Sequence, residues 1–190
     1  MELKANILRI ERLSLSDGKG MRTVVFFKGC PLRCAWCSTP ESQSGQREVY
    51  YMKERCTGCG ACIQVCPEQA LRRSEKTGEI VRDHSRCTQC FQCVDACNYR
   101  AQQIYGKEMT VKEVMREIQK DEMFFFYSDG GVTLSGGDLF CQTDFAEALL
   151  EACDDACINA AAELSIQPIL ARYESYLNVE KSWGHSKSLL

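Results

Sequence analysis

Fourteen of the 190 residues are cysteine, and eleven of those fall into three runs with the spacing of metal ligands. The first run is Cys30-Pro31-Leu32-Arg33-Cys34-Ala35-Trp36-Cys37, directly after the apolar stretch Val24-Val25-Phe26-Phe27. Three thiols on one short loop can wrap three corners of a cubane iron–sulfur cluster and leave the fourth iron without a protein ligand. Clusters are normally held by four thiolates, so a three-cysteine loop implies that something else completes the site. A zinc loop is the competing reading, because cysteine clusters at similar spacing also bind zinc.

The other two runs are an internal repeat. Cys56-x2-Cys59-x2-Cys62-x3-Cys66-Pro67 recurs as Cys87-x2-Cys90-x2-Cys93-x3-Cys97, with Asn98 in the place of the proline. This is the bacterial two-cluster ferredoxin pattern, in which the fourth cysteine of each run ligates the other cluster. By that rule one 4Fe-4S cluster takes Cys56, Cys59, Cys62 and Cys97, and the other takes Cys66, Cys87, Cys90 and Cys93. A double zinc ribbon needs four thiols per ion and gives no reason for the trailing x3-Cys, so iron–sulfur is the reading adopted.

These ligands have to be positioned by the elements around them. Residues 3–11 alternate enough for a leading strand, and Ser14–Gly20 is a polar turn with two glycines. Arg22–Lys28 is a continuous β-branched and aromatic run, which fits a strand buried on both faces as in a parallel sheet. The turn-rich stretch from Pro40 to Glu48 reads as a linker into an insert over 50–106. Beyond the insert, Thr110-Val111-Lys112-Glu113 is a capping box that starts a helix with Val111, Val114, Met115 and Ile118 on one face. Phe124–Tyr127 reads as a core-edge cluster. A short strand at Gly131–Leu134 ends in Ser135-Gly136-Gly137-Asp138, where bare backbone and one carboxylate meet at a strand's C-terminal end. Thr143–Ala156 has a helical stripe, Ile158–Glu163 is a third strand, and Cys141, Cys153 and Cys157 are expected to be buried thiols.

Composition narrows the function class. The net charge is −3 with acids and bases interspersed, which suggests neither a nucleic-acid nor a membrane-surface partner. The N-terminus has no apolar signal region, and no apolar run approaches the roughly 20 residues of a membrane span. Cysteine-rich C-x2-C repeats without an export signal point to metal in a reducing cytoplasm.

The order of these motifs resembles a known family. C-x3-C-x2-C with an aromatic before the last cysteine resembles the radical SAM signature. Asp17-Gly18-Lys19-Gly20-Met21-Arg22-Thr23 resembles the D-G-P-G-I-R-T segment of the glycyl radical enzyme activating enzymes, with Lys19 in place of proline. Gly131-Val132-Thr133-Leu134-Ser135-Gly136-Gly137-Asp138 resembles their G-V-T-x-S-G-G-E segment, with aspartate for glutamate and Leu139 for the following proline. The resemblance covers roughly residues 5 to 163. It implies an α/β fold: a partial (β/α) radical SAM barrel formed by 1–49 and 107–163, interrupted by an α+β ferredoxin-like insert with two 4Fe-4S clusters over 50–106. It implies a third 4Fe-4S cluster on Cys30, Cys34 and Cys37, with S-adenosylmethionine (SAM) on its open iron. Trp36 is implied on the adenine side, Gly136, Gly137 and Asp138 on the methionine side, and Cys37 and Ser38 among the cofactor-binding residues. It implies an activase that cleaves SAM reductively and takes a hydrogen from a glycine of a partner glycyl radical enzyme. A low-potential donor such as flavodoxin or ferredoxin would supply the electron.

Glu163 falls where the family has the acid of its E-T-S-G segment, while Leu164 and Ile166 depart from it. The family's six strand–helix units do not fit in what remains, since one strand-plus-crossover takes about 30 residues. The expectation is a truncated or divergent member with a separate tail over 164–190, a helix near Arg172–Asn178, a frayed Ser182–Lys187 and an exposed His185. From another class, the alternative is a SAM-inactive iron–sulfur protein acting as an electron carrier or docking module.

Overall fold

The run Arg22–Phe27 is a strand in which every residue is buried, and the rest of its sheet is arranged around it. The computed structural model describes residues 2–164. The strands are β1 (Lys4–Ser14), β2 (Arg22–Phe27), β3 (Glu48–Tyr51), β4 (Leu71–Arg73), β5 (Ile80–Arg82), β6 (Gln102–Tyr105), β7 (Lys107–Thr110), β8 (Gly131–Gly136) and β9 (Ala160–Ala162). The helices are α1 (Ala61–Gln64), α2 (Gln92–Asp95), α3 (Val111–Ile118), α4 (Glu122–Ser128) and α5 (Thr143–Asp155). The chain divides into two units, the described parts of Met1–Gln46 with Lys107–Leu190, and Arg47–Gly106. The fold is mixed α/β.

The first unit is a five-stranded sheet in the order β7-β1-β2-β8-β9. β2, β8 and β9 run parallel, and β1 is antiparallel to both β2 and β7. Alternation along the strands separates the two faces. Ala5, Ile7, Val25, Phe27, Val132, Leu134 and Ala160 join Val114 and Ile118 of α3, Phe125 of α4, and Phe145, Leu149 and Cys153 of α5 in one core. Each large apolar side chain buried there contributes about 1.5–3 kcal/mol. The opposite face carries polar groups among the apolar ones. The buried Arg22 guanidinium donates to Thr133 Oγ1 at 2.6 Å, to Asn159 Oδ1 at 3.1 Å and to the Val132 carbonyl. Ser135 donates to the Glu163 carboxylate on the same side.

Helix α3 starts at the expected capping box. Thr110 Oγ1 accepts from the Glu113 amide, and the Glu113 carboxylate accepts from the Thr110 amide. That network holds the Glu113 carboxyl below the usual carboxylate range, the backbone hydrogen bond from Thr110 first. Asp121, fully buried between α3 and α4, accepts from Arg12 and from the Thr23 hydroxyl, tying the helices to β1 and β2.

Several sequence expectations need correction. β1 is longer than residues 3–11 and bends through Leu13 at φ 59°. The third parallel strand is only Ala160–Ala162. Phe124–Tyr127 is a turn of α4 in which Phe125 alone is buried, while Phe126 is 80% exposed. Of the three thiols expected inside, only Cys153 is buried, and burial pushes it up to about 12; Cys141 and Cys157 are exposed. The stretch after Pro40 is no featureless linker: Pro40–Ser42 forms a 3-10 turn with Thr39 and Ser42 buried. The expected helix at 172–178, frayed segment at 182–187 and exposed His185 lie outside the described residues.

The second unit is small. β3 pairs with β6 and β4 with β5, both antiparallel. Each half of the cysteine repeat places a one-turn helix, α1 or α2, after a left-handed residue, Gly60 in one and Phe91 in the other. Its apolar cluster is Val49, Cys62, Leu71, Ile80 and Cys93, and two of these five are thiols. A core this slight gives little stability by itself, and domains of this size usually lean on bound metal or cross-links.

Candidate metal centres

At the end of β2 the chain turns through Gly29 at φ 101° into the first cysteine loop. The Gly29 amide donates to the Ser42 carbonyl at 2.7 Å and the Cys30 amide to the Gln43 carbonyl at 3.0 Å. The Pro40–Ser42 turn is therefore the backing of the loop. It is held in turn by Lys28, whose buried ammonium donates to the Glu41 carbonyl at 2.7 Å. Cys30, Cys34 and Cys37 are all half-buried, and the Cys37 amide donates back to the Cys34 carbonyl at 3.2 Å.

The Ser135–Asp138 segment docks on the same turn. The Gly137 amide donates to the Phe27 carbonyl at 2.9 Å and the Asp138 amide to the Gly29 carbonyl at 2.7 Å. A side chain on Gly137 would stand 2.3 Å from that Gly29 oxygen, so the approach requires glycine. Asp138 caps the next turn through its carboxylate, which accepts from the Phe140 amide at 3.1 Å. Gln142 closes the arrangement: its amide donates to the carbonyls of Asn6 at 3.0 Å and Lys28 at 2.7 Å. The structure thus brings Gly136, Gly137 and Asp138 to the root of the Cys30–Cys37 loop. Trp36, 82% exposed, and Ser38, also exposed, stand away from these contacts at the loop's outer side. Cys141 is exposed as a residue but sits against Gly29, where partial desolvation of the sulfur, with Asp138 and Cys30 nearby, raises its thiol above the ordinary range.

The second unit sorts its eight thiols into two groups. Cys56, Cys59, Cys62 and Cys97 line one cavity with about 320 Å³ of open space, together with Tyr51, Ile80 and Gln102. Cys66, Cys87, Cys90 and Cys93 line another of about 330 Å³, together with Val49, Leu71 and Arg82. Each run lends its fourth cysteine to the other run's cavity. Among the described residues no three donors converge closely enough to hold a single ion; the thiols instead ring an open space. Backbone amides already point at sulfur: Gly58 to Cys56 at 3.4 Å, Ala70 to Cys66 at 3.3 Å and Ala101 to Cys97 at 3.2 Å. Burial pushes the Cys62 thiol up, and the neighbouring Cys97, Cys56 and Cys59 add to it. Burial also raises Cys93, against the opposing pull of Arg82. Burial and a hydrogen bond with Cys56 push the Tyr51 phenol up to about 12, which keeps it a donor. Four soft sulfur donors converging on one recess, with no three of them close enough for a single ion, fit an iron–sulfur cluster.

A family model for a 4Fe-4S single cluster domain matches residues 16–57, and one for a 4Fe-4S dicluster domain matches residues 48–107. The chain is 44% identical over 176 residues to the trans-4-hydroxy-L-proline dehydratase activating enzyme of Clostridioides difficile, covering 92% of this chain and 57% of that protein. It is 44% identical over 165 residues to the benzylsuccinate synthase activating enzyme of Thauera aromatica, covering 85% and 50%. The choline trimethylamine-lyase activating enzyme of Oleidesulfovibrio alaskensis is also 44% identical, over 164 residues, covering 86% and 53%. All three are activating enzymes, and the chain is similar to them over most of its own length.

The chain spans about half the length of the activating enzymes it matches. Among its described residues, no helix is long and apolar enough to cross a membrane. Five residues around these candidate centres were not legible in the sequence. Lys28 had a signal, a cation closing a buried strand. Gln142, Tyr51, Arg82 and Gln102 had none, because their partners are distant in sequence.

Proposed function

We propose that this chain acts as a radical SAM activase, abstracting a hydrogen from a glycine of a partner glycyl radical enzyme. What supports the reading is the docking of the Ser135–Asp138 segment on the residue before Cys30, in a chain homologous to activating enzymes. The architecture proposed is a partial (β/α) barrel built on β2, β8 and β9, interrupted by a ferredoxin-like insert. Cys30, Cys34 and Cys37 hold three corners of one 4Fe-4S cluster. Cys56, Cys59, Cys62 and Cys97 hold a second, and Cys66, Cys87, Cys90 and Cys93 a third. When bound, the cluster and SAM supply reductive cleavage of the sulfonium C–S bond, yielding methionine and a carbon radical that takes the glycine hydrogen.

The contribution of the protein is position. Gly136 and Gly137 offer bare backbone beside the cysteine loop, where a side chain on Gly136 would meet Phe27 at 2.8 Å. Asp138 offers a carboxylate to the SAM amine, and Trp36 and Ser38 flank the adenine. Gln142 and Lys28 hold the ends of β1 and β2 under both loops. No general acid or base is needed. The partners are a glycyl radical enzyme and a low-potential donor such as flavodoxin or ferredoxin, in the cytoplasm. The relatives' names span a dehydratase, a synthase and a lyase, so the proposal covers the partner's class and not its substrate.

The test is anaerobic incubation of the reconstituted, reduced chain with SAM and a glycyl radical enzyme. Deoxyadenosine together with a glycyl radical signal is the expected result. Full cluster content with neither product would reassign the chain as an electron carrier.

A further inference from the structure

Gln102 is 2% exposed, and its side-chain Nε2 is the buried polar atom without a hydrogen-bond partner among the described residues. Its other end is occupied. Arg82 donates to Gln102 Oε1 at 2.5 Å, and because a guanidinium can only donate, the oxygen must face it and the amino group must face elsewhere. A buried N–H without a partner costs about 1–3 kcal/mol, and such groups are rare unless something completes them. Gln102 lines the cavity that also receives Cys56, Cys59, Cys62 and Cys97. It lies opposite Tyr51 in the β3–β6 ladder, and Tyr51 lines the same cavity beside Cys56. The thiols in that cavity have backbone donors at Cys56 and Cys97.

We propose that Gln102 Nε2 donates to the sulfur of the cluster held by Cys56, Cys59, Cys62 and Cys97, and so raises the reduction potential of that cluster. The inference rests on the iron–sulfur reading of the insert. Its physical basis is that a reduced cluster carries more negative charge on its sulfurs, so a donor aimed at them stabilises the reduced form. Arg82 is the positioning residue. It fixes the amide through Oε1, donates to the Val49 carbonyl at 3.0 Å, and reaches within 4.0 Å of Cys93 at the other cavity. The buried Gln102 and the half-buried Arg82 thus present a neutral donor to one cluster and a cation to the other, and each favours reduction of the cluster it faces.

The test uses the full chain carrying Cys30→Ala, Cys34→Ala and Cys37→Ala, reconstituted anaerobically, so that only the insert clusters titrate. Redox titration followed by electron paramagnetic resonance compares it with the same protein carrying Gln102→Leu or Gln102→Glu. Each variant should keep its iron and sulfide, while one of two reduction steps moves to lower potential. The expected shift is on the order of a tenfold change in electron affinity, which is 59 mV for one electron. The Glu variant keeps an acceptor for Arg82 and loses the donor, so it carries the test if the Leu variant fails to fold. Gln103→Leu, one residue along the strand and outside both cavities, should leave both steps in place. Eight-iron protein whose potentials do not move in the Glu variant overturns this inference alone. Protein that takes up no sulfide overturns the iron–sulfur reading and the inference with it.

Discussion

The Asp138 amide donates to the Gly29 carbonyl at 2.7 Å, across 109 residues of sequence. This bond joins the loop that follows β8 to the turn from which Cys30 departs. It makes the geometry of the cysteine loop and that of the Gly136–Asp138 segment one property, since neither can shift without the other. The segment over 47–106 can be looped out between them because β2 and β8 are neighbours in the sheet whatever lies in the connection.

Gly137→Ala tests this joint. Its new methyl would stand 2.3 Å from the Gly29 oxygen, so the joint must open. We expect a loss of about 1–3 kcal/mol by urea unfolding, with weaker SAM binding. Gly45→Ala meets only Gly29 Cα at 3.8 Å, an ordinary contact, and should change stability by less than about 0.5 kcal/mol. Equal effects of the two changes would mean that the contact at Gly137 is not limiting.

Lys28→Met removes the ammonium that anchors the Glu41 carbonyl and keeps most of the buried side-chain volume. The Pro40–Ser42 turn then loses a hold, and the Cys30 loop loses its backing. Iron analysis should show the first cluster depleted and the two insert clusters retained. Uniform loss of iron would indicate general unfolding instead.

Metal content follows from the three ligand groups. Anaerobic reconstitution should approach about twelve irons and twelve sulfides, four per cubane, and the Cys30→Ala, Cys34→Ala, Cys37→Ala variant about eight of each. Zinc in stoichiometric amount without sulfide would contradict the assignment.

Air should remove the clusters in order. Each insert cavity has one buried thiol, Cys62 or Cys93, and one exposed, Cys59 or Cys90, whereas Cys30, Cys34 and Cys37 are all half-buried and, on the proposed reading, would leave one iron without a thiolate. On exposure to oxygen, the SAM-dependent spectral change should disappear while most iron remains. Earlier loss of the insert clusters would reverse the assignment of the open site.

Asp121 predicts an acid dependence. Burial works to raise its carboxyl, but hydrogen bonds from Arg12 and Thr23 outweigh it and hold the group below its ordinary value. A carboxylate depressed in the folded state adds stability that is complete above its unfolded value, about pH 4, and is lost as pH falls through the folded value. Asp121→Asn should cost about 1–3 kcal/mol at neutral pH and flatten the fall in stability below about pH 4. Parallel acid curves for the two proteins would show that other carboxylates govern it.

Cysteine spacing alone determined the chemistry that can be read from this chain, because ligand type and loop length are local properties. The repeat at Cys56–Cys66 and Cys87–Cys97 announced a pair of four-thiol sites before any fold was known. Strand and helix positions were legible for the same reason, since β2 contains the continuous apolar run Val24–Phe27 and α3 opens on a capping box. The faces of β2 were not legible. The apolar run Val24–Phe27 gives no alternation, and only the sheet decides that Val25 and Phe27 meet the helices while Arg22 lies against Thr133. Pro40–Gln43 read as linker because its partners, the Gly29 and Cys30 amides, are visible only once the chain has turned back. The same holds for Gln142 on Asn6 and Lys28, and for Gln102 between Arg82 and a ring of thiols. Each is a polar side chain whose role is set by what it is buried beside, and burial is decided by the tertiary structure.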